Sequence, residues 1–254
     1  MPALVAILFV AGALIGSFVS VVAHRLPRGE QFIAGRSRCR ECGAHISARD
    51  NVPIVSWVVL RGRCRSCGEP IPARYPLTEL GLGVLYAVTY LSLGDEDVAN
   101  LVLGLIFCTL LVAITLTDLE LRVIPNAIVL AGSIVAIAIV VATDASSLDQ
   151  RTIAAIAAGG LLFLVVLAYP RGMGMGDAKL VAMMGLYLGR AVGPAVVTGF
   201  FVGAVVGVAL IARHGSAARK RAIAFGPFLA FGGLIGLWFG DEIVDWYLDE
   251  YFHG

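Results

Sequence analysis

Eight apolar stretches recur along the chain, at about 3–23, 77–93, 99–117, 124–143, 152–169, 178–189, 191–212 and 223–240. Most are close to twenty residues long, the length at which a helix crosses the hydrocarbon of a bilayer. A backbone in lipid must satisfy its own hydrogen bonds, and within one segment only a helix does so. The pattern therefore predicts an all-α polytopic membrane protein with about eight transmembrane helices. The sixth stretch is short, and nothing sharp separates it from the seventh. Polar turns between the stretches are brief, except for one long insertion between the first and second. This predicts a first helix over 1–23, a cytoplasmic domain over 24–77, a membrane core over 78–240 and a polar tail over 241–254.

Composition agrees with the pattern and excludes an ordinary soluble domain. Of 254 residues, 59% are hydrophobic and only 15% are charged, against roughly one quarter charged in soluble domains. The net charge of +1 says little, but the placement of charges says more. Seventeen of the 19 Lys and Arg residues fall on one side of the expected membrane: ten arginines in 24–77, then Arg122, Arg171, Lys179, Arg213, Arg219, Lys220 and Arg221. The other side keeps Arg151 and Arg190 with ten acids: Asp95, Glu96, Asp97, Asp144, Asp149, Asp241, Glu242, Asp245, Asp249 and Glu250. Basic loops stay in the cytoplasm, so both chain ends are expected outside. The first stretch has no Lys or Arg before Arg25, and its positive flank follows the apolar run. That order favours an uncleaved span over a signal peptide.

The polar insertion carries the clearest metal signal. Cys39-Arg-Glu-Cys42 and Cys64-Arg-Ser-Cys67 are two Cys-x-x-Cys pairs separated by 21 residues. Each pair presents two thiolates from one tight turn, and two such turns complete the tetrahedral four-sulfur site of structural zinc ribbons. Gly43 and Gly68 follow the second cysteine of each pair, where a left-handed residue closes a knuckle. A domain of this size buries little core, which gives a metal staple a purpose. Two disulfides are the competing reading, disfavoured in the reducing compartment that the charges imply. Pro53, Pro70, Pro72 and Pro76 predict turns and short strands here. Cys108, within the third stretch, is a small buried apolar residue.

Two aspartates sit where apolar runs meet polar turns. Asp118 lies in "LTDLELRVIPN" (116–126) and Asp177 in "GMGMGDAKL" (172–180). Ionisable groups at the edge of a membrane span are read first as functional. Two spans separate these aspartates, so both face the same side and can meet. A carboxyl pair sharing one proton activates water: one member takes a proton from the attacking water while the other donates to the scissile carbonyl. Each residue also has a structural reading, Asp177 as a helix cap and Asp118 as a partner of Arg122. Gly174 and Gly176 would let an extended substrate backbone approach. Lys179 is a further substrate-contact candidate, with lipid phosphate as the competing partner.

Taken in order, "GSFVSVVAHRLP" (16–27), the two Cys-x-x-Cys pairs, "RYPLTEL" (74–80), "DLELRVIPN" (118–126), Gly174-Met175-Gly176-Asp177 and "FGPFLAFGG" (225–233) resemble the bacterial prepilin peptidases, the bifunctional type IV leader peptidase family. Ser20 departs from that pattern, standing where asparagine is common. The resemblance implies an intramembrane aspartyl endopeptidase with Asp118 and Asp177 as its catalytic pair. Its substrates would be type IV prepilins or pseudopilins, cut after a positively charged leader at the cytoplasmic face of the inner membrane. It also implies S-adenosylmethionine-dependent N-methylation of the new N-terminus, associated with the domain of Cys39, Cys42, Cys64 and Cys67. No residue pattern marks a methyl-donor site, and no nucleic-acid partner is expected. Two other classes compete. An ion-coupled transporter would place its carboxylates near the bilayer midplane in a repeated arrangement, and a zinc-bearing scaffold would leave the aspartates without a purpose.

Overall fold

The computed structural model describes residues 1–31, 37–94, 97–170, 173–214 and 224–252. Arg36, Asp95, Glu96, Arg171, Gly172, Arg219, Lys220 and Arg221, used above, lie outside the described residues. The helices are α1 (Pro2–Arg25), α2 (Val55–Val59), α3 (Arg74–Leu93), α4 (Val98–Leu121), α5 (Asn126–Thr143), α6 (Leu148–Ala168), α7 (Met175–Leu188), α8 (Val192–His214) and α9 (Gly226–Phe252). Each of the eight apolar stretches has become one helix; the five-residue α2 comes from the polar insertion, beside the short 3-10 turns Leu26–Arg28 and Ala48–Asp50. Seven stretches are long and apolar enough to cross a membrane. One of them, Met175–Arg213, contains both α7 and α8, joined by a 3-10 turn at Gly189–Ala191. Large apolar side chains such as Ile7, Leu130, Leu164 and Phe201 face outward, a surface suited to lipid rather than water.

The chain divides into two compact units, Met1–Asp95 and Glu96–Gly254. In the first, α1 packs against α3 through glycines; a side chain on Gly12 would stand 2.6 Å from the Leu82 carbonyl. Small residues at such a crossing let helices approach closely where no hydrophobic effect draws them together. The insertion between them differs from the short strands expected. Among the described residues it forms two isolated bridges, Arg38 with His45 and Arg63 with Pro70, and "VSWVV" coils into α2. The prolines and the two knuckles interrupt the backbone too often for a ladder to propagate. The Trp57 ring on α2 is anchored by its indole N–H, which donates to the Ile71 carbonyl at 2.9 Å.

In the second unit, α4 to α9 reverse direction at every connection, and the polar contacts mark two ends. At one end Arg190, between α7 and α8, pairs with Asp241 at 2.8 Å and Asp245 at 2.6 Å, both on α9. Arg151 on α6 donates there to the carbonyls of Leu186 and Tyr187 and to Asn100 of α4. Close packing of Gly199 and Gly203 of α8 against Phe228 of α9 and Phe225 just before it lies toward the other end. Thus α8 runs back along α9, and α7 and α8 are two helices running in opposite directions, not one long helix. Asp118, near the end of α4, and Asp177, near the start of α7, lie at the end opposite Arg151 and Arg190.

Candidate active site and metal centre

Asp118 sits one turn before the end of α4, on the face where Thr117 and Ile114 are fully buried. The helix stops four residues later because Arg122 turns left-handed, at φ 56°, and its N–H closes onto the Asp118 carbonyl at 2.9 Å. That geometry is uncommon for a residue bearing a Cβ, and it turns the chain sharply into Ile124-Pro125-Asn126, where α5 begins. The Asp118 side chain is only 6% exposed. Its Oδ2 accepts the backbone N–H of Gly226, the first residue of α9, at 2.8 Å. No ion pair joins Asp118 to Arg122 among the described residues; the carboxylate is held by a helix start instead.

Asp177 is the third residue of α7. Its N–H donates to the Gly174 carbonyl at 3.1 Å, and its Oδ2 accepts the Gly174 N–H, also at 3.1 Å. This reciprocal arrangement caps the helix, so the capping reading of Asp177 is realised. Capping engages one oxygen, leaving the other outside the cap. Asp177 is 8% exposed. Each of the two carboxylates is therefore gripped through Oδ2 by a backbone N–H at the beginning of a helix, Gly226 for Asp118 and Gly174 for Asp177. Helix starts carry positive partial charge and suit anions.

The neighbouring candidates divide. Gly174 is exposed, whereas Gly176 lies against Ile124; a side chain there would meet the Ile124 Cβ at 3.0 Å. The smallness of Gly176 lets α7 pack onto the turn after Asp118. Lys179 reaches across to Asn126, donating to its Oδ1 at 3.0 Å. This bond ties α7 to the start of α5, and so links the two segments that carry the aspartates. Gly226 was missed as a site residue by sequence reasoning. Its motif was visible in "FGPFLAFGG", but no spacing rule connects it to an aspartate 108 residues earlier.

In the first unit, the two cysteine knuckles are built alike. Cys39 N–H donates to Ala44 and Gly43 N–H to Cys39; Cys64 N–H donates to Glu69 and Gly68 N–H to Cys64, all at 2.8–3.0 Å. Gly43 and Gly68 have φ of 69° and 75°, the left-handed closure expected from their positions. All four Sγ atoms lie within 4.8 Å of one another, and Cys39 and Cys67 are 3.8 Å apart. Four sulfurs about 2.3 Å from a tetrahedral ion stand roughly 3.8 Å from each other, so the set fits a metal ion. The cysteines are free of disulfides. The backbone N–H groups of Cys67 and Ser66 draw the Cys64 thiol down to about 7, while burial and the neighbouring sulfurs push Cys67 up to about 12, so the first proton leaves this pair readily and the second only as a metal displaces it. Asp50 accepts a forked contact from Arg65, whose Nη2 lies 2.7 Å from Oδ1, and this holds its carboxyl below the usual aspartate range.

The family model described as bacterial peptidase A24 N-terminal domain matches residues 10–93, and that described as type IV leader peptidase family matches residues 105–212. A prepilin leader peptidase/N-methyltransferase of Aeromonas hydrophila is 33% identical, the match covering 96% of this chain and 94% of that protein. Proteins of the same name from Stutzerimonas stutzeri, 33% identical over 94% and 92% of the two chains, and from Bacillus subtilis, 31% identical over 96% and 98%, are similar throughout. No solved structure matches. With both family models matched in order and full-length relatives above 30% identity, the chain belongs to the type IV leader peptidase family.

Proposed function

We propose that this protein cuts the leader from type IV prepilins or pseudopilins through Asp118 and Asp177, and then N-methylates the exposed N-terminus. The observation that carries the proteolytic reading is the parallel grip on the two carboxylates. Each is buried at the same end of the helical unit, and each has Oδ2 occupied by a helix-start N–H. The remaining oxygens are left to face a water and the scissile carbonyl. A carboxyl pair that shares one proton acts as acid and base together, so the roles belong to the dyad. Replacing either residue, as Asp118→Asn or Asp177→Asn, removes the shared proton and is expected to abolish leader cleavage while the protein stays in the membrane. Cleavage of a prepilin in detergent measures it; a clean single variant that still cuts would overturn the assignment.

Zinc is the metal proposed for Cys39, Cys42, Cys64 and Cys67, because four thiolates at tetrahedral spacing suit it and its role here is to fold the insertion. For methylation, S-adenosylmethionine supplies an electrophilic methyl group. The first unit contains a cavity of about 1000 Å³, near the upper end of small-molecule sites, so a ligand of that size fits. Its wall mixes arginines with Glu30 and Glu79, which suits a ligand bearing both charges. The proposed orientation follows the charge placement: aspartates and cysteines at the cytoplasmic face, both ends outside. Transport is not favoured, since both aspartates lie at one end of their unit rather than at its middle.

A further inference from the structure

Two motifs that proteolysis leaves unused, "GSFVSVVAHRLP" and "RYPLTEL", lie far apart in sequence but line the same cavity as the cysteine knuckles. Ser17, Ser20 and His24 come from the first motif, Tyr75 and Glu79 from the second. Glu79 is the unusual member. It belongs to a transmembrane helix, is 8% exposed, and no cation pairs with it among the described residues. Its Oε2 instead accepts the backbone N–H of Ile54 at 2.7 Å. Ile54 supplies that bond from φ 62° and ψ −53°, a conformation a β-branched residue holds only under constraint. A strained residue is thus kept in place to orient a buried carboxylate on a cavity wall.

A buried charge without a counter-ion is costly and is retained where a partner arrives. We infer that Glu79 holds the primary ammonium group of a ligand bound in this cavity. Tyr75, with the Arg40 and Arg74 guanidinium groups 5.8 and 5.2 Å from its ring centre, provides a flat, cationic wall for the rest of that ligand. The inference rests on the methyl-transfer reading, which involves two primary amines: the freshly cut N-terminus of the substrate and the amino-acid end of the methyl donor. A purely structural Glu79 would do no more than satisfy the Ile54 N–H, and Glu79→Gln separates the two roles. Glutamine keeps an acceptor for that N–H but carries no charge.

The test is calorimetry on the full-length, metal-loaded protein in detergent, with two probes. One is S-adenosylhomocysteine and the other a peptide with the mature substrate N-terminus, each paired with its deaminated analogue. In the wild type, deamination of the responding probe is expected to weaken binding by at least about tenfold, the scale of a lost charge-assisted hydrogen bond. Glu79→Gln is expected to weaken the amine-bearing probe by a similar factor and to leave its deaminated analogue and the metal content unchanged. The probe that responds identifies the source of the amine. Equal affinity of amine and deaminated probe for the wild type overturns the inference, and that arm stands even if the variant does not fold. Binding to Glu79→Gln as tight as to wild type overturns it too, with methyl transfer intact. Failure of both probes to bind wild type overturns this inference and the methyl-transfer reading together.

Discussion

Asp118 takes its hydrogen bond from Gly226, 108 residues further along the chain, and that contact tolerates no side chain. A methyl group on Gly226 would stand 2.7 Å from Oδ2, inside any allowed contact, so the carboxylate must move or α9 must withdraw. A small misplacement of a catalytic group costs on the order of 10²-fold in rate. Gly226→Ala is therefore expected to lower the kcat of leader cleavage by about that factor, with KM little changed and the protein still inserted; initial rates on a purified prepilin check it. Lys179 makes a milder case. Its bond to Asn126 links α7 with the turn after Asp118, so Lys179→Met is expected to slow cleavage several-fold, and Asn126→Ala to do the same without an additive loss in the double variant. Both aspartates were legible in the sequence because a carboxylate at the edge of an apolar run stands out. Gly226 was not, since its importance lies in a contact and not in its chemistry.

At the scale of elements, helices and knuckles followed from local rules. Apolar runs of membrane-spanning length left the backbone one way to satisfy itself, and the left-handed Gly43 and Gly68 were set by their place after each Cys-x-x-Cys pair. The insertion departed from expectation where competing tendencies met: "VSWVV" is rich in β-branched residues yet forms α2, anchored by the Trp57 indole. Metal binding to the knuckles requires thiolates, and Cys64, lowered to about 7, is largely protonated in mild acid. Because protons compete with metal for sulfur, affinity falls as pH falls. A chelator is expected to strip the ion faster at about pH 6 than at about pH 8, followed by a colorimetric zinc assay. Cys39→Ser or Cys64→Ser is expected to lose the ion at either pH and to open the arginine-rich insertion to trypsin, as limited digestion would show.

At the scale of the molecule, the chain divides into two units between residues 95 and 96, matching the division between the two family models. Within the second unit, the end opposite the aspartates is braced by arginines of unequal importance. Arg190 is 39% exposed in its side chain and pairs with exposed aspartates, so its truncation is expected to cost under about 1 kcal/mol. Arg151 caps the carbonyls at the end of α7, and its loss leaves them without that donor, at roughly 1–3 kcal/mol. Thermal unfolding in detergent should show Arg151→Ala lowering Tm more than Arg190→Ala. Reporter fusions address orientation: a phosphatase active only outside the cytoplasm is expected to work at the C-terminus and to be silent when placed after His214.

The sequence alone determined the membrane class, the eight helices and the cysteine knuckles, and it singled out the two aspartates as candidates. These depend on run length, charge placement and residue spacing, all of which are local and survive in one dimension. Tertiary structure decided that α7 and α8 are separate helices running in opposite directions, that Asp118 is held at the start of α9, that Gly176 serves packing against Ile124, and that Glu79 lines a cavity with no cation paired to it among the described residues. Each of these is a contact between segments far apart along the chain. Such contacts follow from how helices settle against one another, through glycine crossings and helix-start N–H groups that no single stretch of sequence contains.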